Sequence, residues 1–296
     1  MMTARTGAEQ QQGSDRWTGF YKESAEYFRR LRDKALREWR KPPPALEEIP
    51  VPGTLLDVGS GAGLLCVLAA RRGASAVGLD VSLEGARAGR GLAREHSVPG
   101  CHFVVGDAHA LPFRDGVFDA ATHHATLEHL VQPQASLHET RRVLKPGGSL
   151  ILFTVNALYP PRWRAALWRD LLAAARAPAG AQVEPLRRRG FEGPDERAWR
   201  AGECLDTWRI PAPVLRRMAR ALLEEERYET FHLCREGKLW LEENLKVRLE
   251  RPSIPGRVAR RAYLLLNRIP FIRHLGPVIL WIGRRPGARG AAADGE

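Results

Sequence analysis

The sequence predicts an α/β fold, built on a mostly parallel sheet with helices packed on both of its faces. Between residues 54 and 156, short apolar segments of strand length alternate with segments that have helical periodicity. The first strand runs directly into a glycine-rich turn, TLLDVGSGAGLL. The 296 residues are 44% hydrophobic, which is enough for a large core. In sheets of this kind, ligands bind at the carboxyl ends of the strands.

The alternation predicts each element in turn. Strands are expected at 54–58, 75–80, 102–106, 118–122 and 149–156, and two closing strands at 226–234 and 276–285. Helices are expected to begin near Ala62, at a Ser82 cap and at about residue 133. Charged residues and prolines interrupt the apolar stretch 262–283, so a membrane-spanning helix is not predicted there.

Composition restricts the partners and the compartment. The formal net charge is +12, because 46 Lys and Arg outnumber 34 Asp and Glu. This excess would attract phosphates, anionic membranes or acidic substrates, or would simply form a solvated basic surface. The four cysteines show no CxxC spacing, so reduced thiols in a cytoplasmic protein are expected, without a metal site. The first residues have no apolar core typical of a signal peptide.

The glycine turn indicates a ligand that approaches the backbone closely. Its glycines are Gly59, Gly61 and Gly63. Leu64 stands where a dinucleotide-binding fingerprint has glycine or alanine, and Asp57 precedes the turn. A carboxylate at Asp57 suits an ammonium group better than a pyrophosphate. A tight turn without a ligand is the alternative reading.

Two further acids describe the rest of the ligand. Asp80 ends the second strand, 19 residues after Gly61, where a carboxylate can accept hydrogen bonds from both ribose hydroxyls. Asp107 follows the third strand and is placed to accept a hydrogen bond from an adenine amine. Each acid alone could cap a turn. Together they indicate a ligand with an amino-acid end, a ribose and an adenine, but no phosphate.

Five stretches then carry a resemblance to a known family. They are LLDVGSGAG, VGLDVS, GDAHALPF, FDAATHHATLEHL and VLKPGG, in this order. Over residues 54–156 the chain resembles the class I S-adenosylmethionine-dependent methyltransferases, in the branch of ubiquinone/menaquinone-type and small-molecule enzymes. The resemblance implies a Rossmann-like, seven-stranded sheet whose last strand is antiparallel. It also implies S-adenosyl-L-methionine as cofactor and S-adenosyl-L-homocysteine as product.

The resemblance assigns cofactor contacts to particular residues. The turn that would lie against the methionine and ribose parts consists of Gly59, Ser60, Gly61 and Gly63. Asp57 would face the amino group or its bound water, and Asp80 would bind the ribose hydroxyls. Val81 would lie against the adenine, while Asp107 and Ala108 would hold the adenine edge.

The loop after the fourth strand supplies candidate catalytic groups. His123 and His124 are the leading candidates because imidazole titrates near neutrality, and a weakly acidic hydroxyl or a carbon acceptor needs a base. Either histidine could instead line the pocket or bind the backbone. His129 is expected to line the pocket, and Glu128 to face solvent.

The organisation along the chain follows from these assignments. We expect five parts: a disordered start with an N-terminal lid helix (1–50), the cofactor-binding core (51–156), a helical substrate cap (157–225), the closing strands with a basic amphipathic insertion (226–285), and a flexible tail (286–296). Trp17, Tyr21 and Trp208, with His129, are expected to line the acceptor pocket. The alternative for the cap is that its tryptophans form its own core.

The predicted activity is methyl transfer to oxygen, nitrogen or carbon of a small-molecule acceptor, which could be a lipophilic compound or a natural product. The basic, apolar region 247–289 suggests peripheral contact with anionic membrane, or else a core helix with a solvated face. An RNA methyltransferase and a non-catalytic cofactor-binding protein are the alternatives. Nucleic acid is disfavoured because THHA is not the Asn/Asp-Pro-Pro-aromatic motif and no RNA-binding module is recognisable. The oligomeric state stays open.

Overall fold

The computed structural model describes residues 49–130, 132–156, 210–231 and 278–287. The strands are β1 (Thr54–Val58), β2 (Ser75–Asp80), β3 (Cys101–Val105), β4 (Phe118–His124), β5 (Leu144–Val155), β6 (Glu224–Phe231) and β7 (Val278–Arg284). The described helices are α1 (Leu64–Arg71), α2 (Leu83–Glu95), α3 (Pro133–Val143) and α4 (Ala212–Arg220), with a 3₁₀ turn at Leu127–His129.

The strands form one seven-stranded sheet in the order β3-β2-β1-β4-β5-β7-β6. Neighbours from β3 to β5 are parallel, whereas β7 is antiparallel to both β5 and β6. The predicted mostly parallel sheet with an antiparallel last strand is therefore confirmed. The strand order reverses between β1 and β4, and such a switch point opens a crevice at the carboxyl ends of the strands.

Helices cover both faces of the sheet, as predicted. Alternate residues of each strand point to opposite faces, so neighbouring residues enter different cores. On what we call the α3/α4 face, the core includes Leu56, Leu150, Trp281, Leu137 and Leu215. On the opposite α1/α2 face, the core includes Leu55, Ile151, Leu280, Val67 and Leu92.

Several element boundaries differ from the sequence-based expectation, and three differences have a clear physical cause. Helix α1 begins at Leu64 instead of near Ala62, because Gly61 and Gly63 have φ angles of 54° and 74°, which an α-helix does not allow. Strand β5 begins at Leu144 instead of 149, because Leu144 already pairs with Phe118 of β4. Residues 210–223, assigned to the cap from sequence, instead contribute α4 and its flanks to the core of the α3/α4 face.

The remaining domain assignments lie mainly outside the described residues. These are the N-terminal lid helix, the rest of the cap at 157–209, the basic insertion and the tail. Among the described residues, no helix combines the length and apolar character needed to cross a membrane.

Candidate active site

Asp80 and the glycine turn form one hydrogen-bonded unit at the carboxyl ends of β1 and β2. The Asp80 Oδ2 atom accepts a hydrogen bond from the Gly61 amide at 2.8 Å, and Oδ1 accepts one from the Ser82 amide at 2.8 Å. The amides of Gly59 and Ser60 donate to the carbonyl of Leu79 at 2.7 and 3.0 Å. The turn after β1 is thus fastened to the end of β2.

The Asp80 carboxylate is chemically suited to a ribose. Its side chain is buried, which raises its pKa, while hydrogen bonds from the amides of Ser82, Gly61 and Val81 act in the opposite direction. A carboxylate offers about four acceptor positions, so the backbone amides leave room for a hydroxyl donor. These residues therefore fit a neutral, hydroxyl-rich group better than a phosphate, which the carboxylate would repel.

Two of the turn glycines make room for protein atoms. A Cβ atom on Gly59 would lie 2.3 Å from Cγ2 of Thr126, and one on Gly63 would lie 2.4 Å from the Phe103 ring. Both residues also have positive φ, at 72° and 74°. The sequence-based argument attributed the missing side chains to ligand approach. At these two positions packing against β3 and the loop after β4 already requires glycine.

Ser60 turns its hydroxyl towards the sheet. Its Oγ atom is buried without a hydrogen-bond partner, and a Cβ added to Gly78 would lie 2.6 Å from it. Contact of this hydroxyl with the methionine part of a cofactor stays a prediction.

Asp57 connects three elements beneath the turn. Its side chain is 3% exposed, and its Oδ1 atom accepts a hydrogen bond from the Thr122 hydroxyl of β4 at 2.7 Å. The Cys66 thiol of α1 donates to Oδ2 at 3.8 Å. Burial raises the pKa of Asp57 to about 7, the Thr122 hydrogen bond lowers it, and nearby Asp80 raises it. The predicted contact with an ammonium group is not tested by these interactions.

The structure separates the two candidate catalytic histidines, because neighbouring strand residues face opposite ways. His123 is 1% exposed, and its Nε2 lies 2.9 Å from the Thr140 hydroxyl of α3. That hydroxyl donates to the Ser136 carbonyl at 2.8 Å, so His123 must be the donor to Thr140. Burial, with a smaller effect of His109, lowers the pKa of His123 to about 3. These contacts favour a structural role in the α3/α4 core.

His124 lies on the other face of β4, at its carboxyl end. Its ring stacks on Phe153 of β5, with centroids 4.7 Å apart and an interplanar angle of 1°. The side chain is half-buried, and burial lowers its pKa. His124 is therefore neutral near pH 7 and lies beside the β1/β4 switch point.

The loop after β4 folds back over the sheet. The Thr126 hydroxyl donates to the Val58 carbonyl at 2.9 Å, and the His129 amide donates to the Thr126 carbonyl at 2.9 Å. The expectation that Glu128 faces solvent is wrong: it is 2% exposed and accepts a hydrogen bond from Thr154 at 2.6 Å. The 3₁₀ turn directs this side chain inward, while His129 is half-buried.

Asp107 is held by a residue that sequence reasoning left unassigned. Its Oδ1 atom accepts hydrogen bonds from the amide and Nδ1 of His109, at 2.9 and 2.5 Å. The second ring nitrogen, Nε2, accepts from the Gln132 amide at 3.2 Å, so His109 links the loop after β3 to the start of α3. The spacing of Asp107 and His109 could have indicated this contact, because an aspartate side chain in a turn often accepts a hydrogen bond from the backbone amide two residues later. Ala108 is buried in the α3/α4 core, and Val81 is half-buried after β2.

The predicted pocket residues Trp17, Tyr21 and Trp208 lie outside the described residues. Within the described ranges, no group of three or more His, Cys, Asp or Glu side chains is arranged to hold a metal ion.

The sheet order, the antiparallel β7 and the acid-bound glycine turn define a Rossmann-like protein of the methyltransferase type. A family model described as a methyltransferase domain matches residues 56–152. The demethylmenaquinone methyltransferase of Roseiflexus castenholzii is 37% identical over 174 residues, which cover 55% of this chain and 71% of that protein. The chain therefore belongs to the class I S-adenosylmethionine-dependent methyltransferase family, in its quinone-type branch.

Other relatives match over a smaller share of their length. The demethylmenaquinone methyltransferase of Paenarthrobacter aurescens is 34% identical over 43% of this chain and 49% of its own length. The ubiquinone/menaquinone biosynthesis C-methyltransferase UbiE of Ruegeria sp. is 35% identical over 44% of this chain and 50% of its own length. The chain thus spans about half the length of these curated relatives.

Two solved structures share the fold. One is a methyltransferase in complex with the Haloferax volcanii Trm112 methyltransferase activator, with 20% identity, a TM-score of 0.53, and coverage of 90% of this chain and 97% of the other. The second is the [4+2]-cyclase SpnF, with 22% identity, a TM-score of 0.51, and coverage of 87% and 81%. At these identities the likeness shows the fold alone.

Proposed function

We propose that the protein transfers a methyl group from S-adenosyl-L-methionine to a small, lipophilic acceptor. The observation that carries the proposal is the hydrogen bond between Asp80 and Gly61, which joins the end of β2 to the glycine turn beside the switch point. This arrangement presents a carboxylate and bare backbone to the same crevice. Family membership supports the choice of cofactor.

Each cofactor contact has a candidate residue in this chain. Asp80 accepts hydrogen bonds from the ribose hydroxyls, and the turn that contains Gly61 lies against the methionine part. Asp107, oriented by His109, holds the adenine edge with Ala108 and Val81. Asp57 lies below the turn, where a cationic ligand would favour its ionised form over the protonated form that burial favours.

The protein's main task in catalysis is to orient the acceptor and exclude water. When bound, S-adenosyl-L-methionine supplies a methyl group that is already electrophilic, so in-line displacement needs no covalent help from the protein. If the acceptor is carbon, as the name of the Ruegeria relative states for that protein, a proton must also be removed. His124 is the candidate base or positioning group, because it is neutral and lies at the carboxyl end of β4.

A lipophilic ring is the acceptor class that the relatives favour. Several of them are named demethylmenaquinone methyltransferases, and this chain carries a basic, apolar segment at 247–277, before the buried strand β7, that would suit contact with anionic lipid. A cytoplasmic protein that contacts the membrane peripherally is consistent with these features. Flotation with anionic vesicles tests the contact, and complete recovery in the soluble fraction at low salt would remove it.

Calorimetry and a labelled-methyl assay together test the proposal. We expect S-adenosyl-L-methionine and S-adenosyl-L-homocysteine to bind and NADH not to bind. The protein is incubated with methyl-labelled S-adenosyl-L-methionine and either a reduced demethylmenaquinone or total RNA. We expect labelled quinone and S-adenosyl-L-homocysteine from the first incubation and no labelled RNA from the second. Absence of cofactor binding would overturn the proposal. Binding without transfer would favour a non-methylating activity on the same fold, of which SpnF is an example.

A further inference from the structure

The outer edge of β3 presents main-chain groups that have no partner among the described residues. Strand β3 is first in the sheet order and pairs only with β2. At its ends, the carbonyl of Gly100 and the amide of Gly106 bond to β2. Since the bonding side alternates along a parallel strand, the main-chain groups of Cys101, Phe103 and Val105 point away from the sheet. This edge can therefore accept another strand.

A groove runs along this edge, between β3 and α2. Its volume is about 890 Å³, and it is bordered by Arg90 and Arg94, with Val98 and Phe103 among its apolar lining residues. The side chains of Arg90 and Arg94 are exposed, whereas Phe103 is buried. The groove therefore combines an apolar floor with a basic rim.

The two arginines of the rim are open to an acidic ligand. Within the part of the chain that the structure describes, neither Arg90 nor Arg94 forms an ion pair. Arg87, one turn earlier on α2, pairs with Glu84 at 2.9 Å and does not border the groove.

The opposite edge of the sheet is different. On β6, Glu226 pairs with Arg284 at 2.6 Å, and Glu229 pairs with Arg227 at 2.7 Å. Paired charges of both signs discourage another strand from adding to an edge. Beside the β3 edge, the charged residues that line the groove in the described part of the chain are Arg90 and Arg94 of α2, so the groove would attract an acidic segment.

The spacing of the arginines matches that of an extended strand. Arg90 and Arg94 are four residues apart on α2, which is about 6 Å along a helix axis. Side chains at positions i and i+2 of a strand are about 6.6 Å apart. Helix α2 connects the parallel strands β2 and β3, so its axis runs alongside β3. Acids at alternate positions of an added strand would face both arginines.

We propose that the β3 edge binds an extended acidic segment of a partner protein as an additional strand of the sheet. Main-chain hydrogen bonds to Cys101, Phe103 and Val105 supply the docking, and carboxylates at positions i and i+2 pair with Arg90 and Arg94. Val105, which is 48% exposed, adds an apolar contact. This interaction is independent of the proposed methyl transfer.

Fluorescence anisotropy with two labelled heptapeptides of equal composition tests the proposal. In TEVEVET the acids share one face of a strand, whereas in EEVTVTE they do not. We expect TEVEVET to bind at least 10-fold more tightly. The double variant Arg90→Glu/Arg94→Glu should lower the affinity for TEVEVET by at least 10-fold. The matched control on α2, Arg87→Glu, should lower this affinity by less than twofold.

A second variant tests strand addition separately from charge. The Val105 amide points outward, so Val105→Pro removes a docking group without breaking the bonds to β2. We expect this variant to keep the melting temperature within a few degrees and to lose TEVEVET binding. Equal affinity for the two peptides, full binding by Val105→Pro, or no binding at millimolar peptide would overturn the proposal. Displacement of TEVEVET by polyuridylate as effectively as by unlabelled peptide would identify a general polyanion surface instead.

Discussion

The Asp80 carboxylate accepts a hydrogen bond from the Gly61 amide at 2.8 Å, so the acid that ends β2 and the turn that follows β1 are fixed relative to each other. The second carboxylate oxygen is held by the Ser82 amide at 2.8 Å. A ligand that meets both elements therefore encounters a preformed surface, and binding does not have to order it.

Substitution of Asp80 by asparagine should weaken cofactor binding while the fold persists. The amide nitrogen of asparagine would face a backbone N–H donor, and the ribose would lose an ionised acceptor. Hydrogen bonds to charged groups contribute about 1.5–3 kcal/mol, so we expect roughly a 10- to 100-fold loss of affinity for S-adenosyl-L-homocysteine. Calorimetry measures this, with Asp115→Asn, an exposed acid paired with Arg142, as control. Unchanged affinity would refute the assignment of Asp80 to the ribose.

Substitution of Gly63 by alanine should destabilise the fold through packing. The new Cβ would overlap the Phe103 ring at 2.4 Å and occupy a backbone with φ of 74°. Left-handed strain of about 1–2 kcal/mol and overpacking of about 1–3 kcal/mol predict a loss of about 2–5 kcal/mol in the free energy of unfolding. Gly116→Ala is the matched control, because its φ is 65° but no atom lies within 4 Å of the new Cβ. Equal losses in the two variants, measured by denaturant unfolding, would contradict the packing argument.

The fold was predictable from sequence because its signals are local. Buried parallel strands appear in the sequence as short apolar runs. Helix α2 begins after Ser82, whose hydroxyl caps the helix by accepting a hydrogen bond from the Gly85 amide. Helix α4 was missed as part of the core. Its residues follow a long segment without strand signals, and the contacts that bury it include β7, which is distant in sequence.

The site was less predictable, because side-chain direction depends on register. The dipeptide at His123 and His124 gives no indication of which ring faces the crevice, since adjacent strand residues point to opposite faces. The α3 partner of His123 is Thr140, 17 residues away, and no sequence pattern connects the two. The same holds for Glu128 and Thr154, which are 26 residues apart.

Removal of the His123 partner should cost stability. In Thr140→Val the buried Nε2–H of His123 loses its acceptor, and a buried unsatisfied donor costs about 1–3 kcal/mol. We expect the free energy of unfolding to fall by that amount while cofactor affinity stays within about twofold. Ser136→Ala on the same helix serves as the control for loss of a buried hydroxyl, because the Ser136 Oγ atom has no hydrogen-bond partner among the described residues. If Thr140→Val loses cofactor affinity without losing stability, His123 contributes to the cofactor site and not to the stability of the core.

Substitution of His124 should affect turnover more than cofactor affinity. We expect His124→Ala to lower kcat at least 10-fold with little change in the dissociation constant of S-adenosyl-L-homocysteine, because general-base catalysis contributes about 10²–10⁴-fold. His124→Phe keeps an aromatic ring for stacking on Phe153 but has no proton-accepting nitrogen. If His124→Phe restores turnover, the ring only positions the acceptor. If neither variant lowers kcat, His124 has no role in the reaction.

The buried Asp57 should make the free energy of unfolding depend on pH, and the isosteric substitution Asp57→Asn should remove this dependence. Its pKa is about 7 in the folded protein, whereas an aspartate in an unfolded chain has a pKa of about 3.9. Between pH 4 and 7 the folded protein holds a proton that the unfolded chain has lost. This contribution to stability therefore falls as pH rises, by about 1.4 kcal/mol per unit, and levels off above pH 7.

His123 has the opposite effect, so the wild type alone would hide the Asp57 contribution. With a pKa of about 3, against about 6.5 when unfolded, His123 makes the protein more stable as pH rises between these values. Asp57→Asn mimics the protonated acid and can still accept the Thr122 hydrogen bond, so it removes only the Asp57 contribution. We expect the stability of Asp57→Asn relative to wild type to increase between pH 4 and 7, measured by urea unfolding at each pH. A constant difference would mean that Asp57 is ionised throughout, and that the Thr122 and Cys66 hydrogen bonds outweigh its burial.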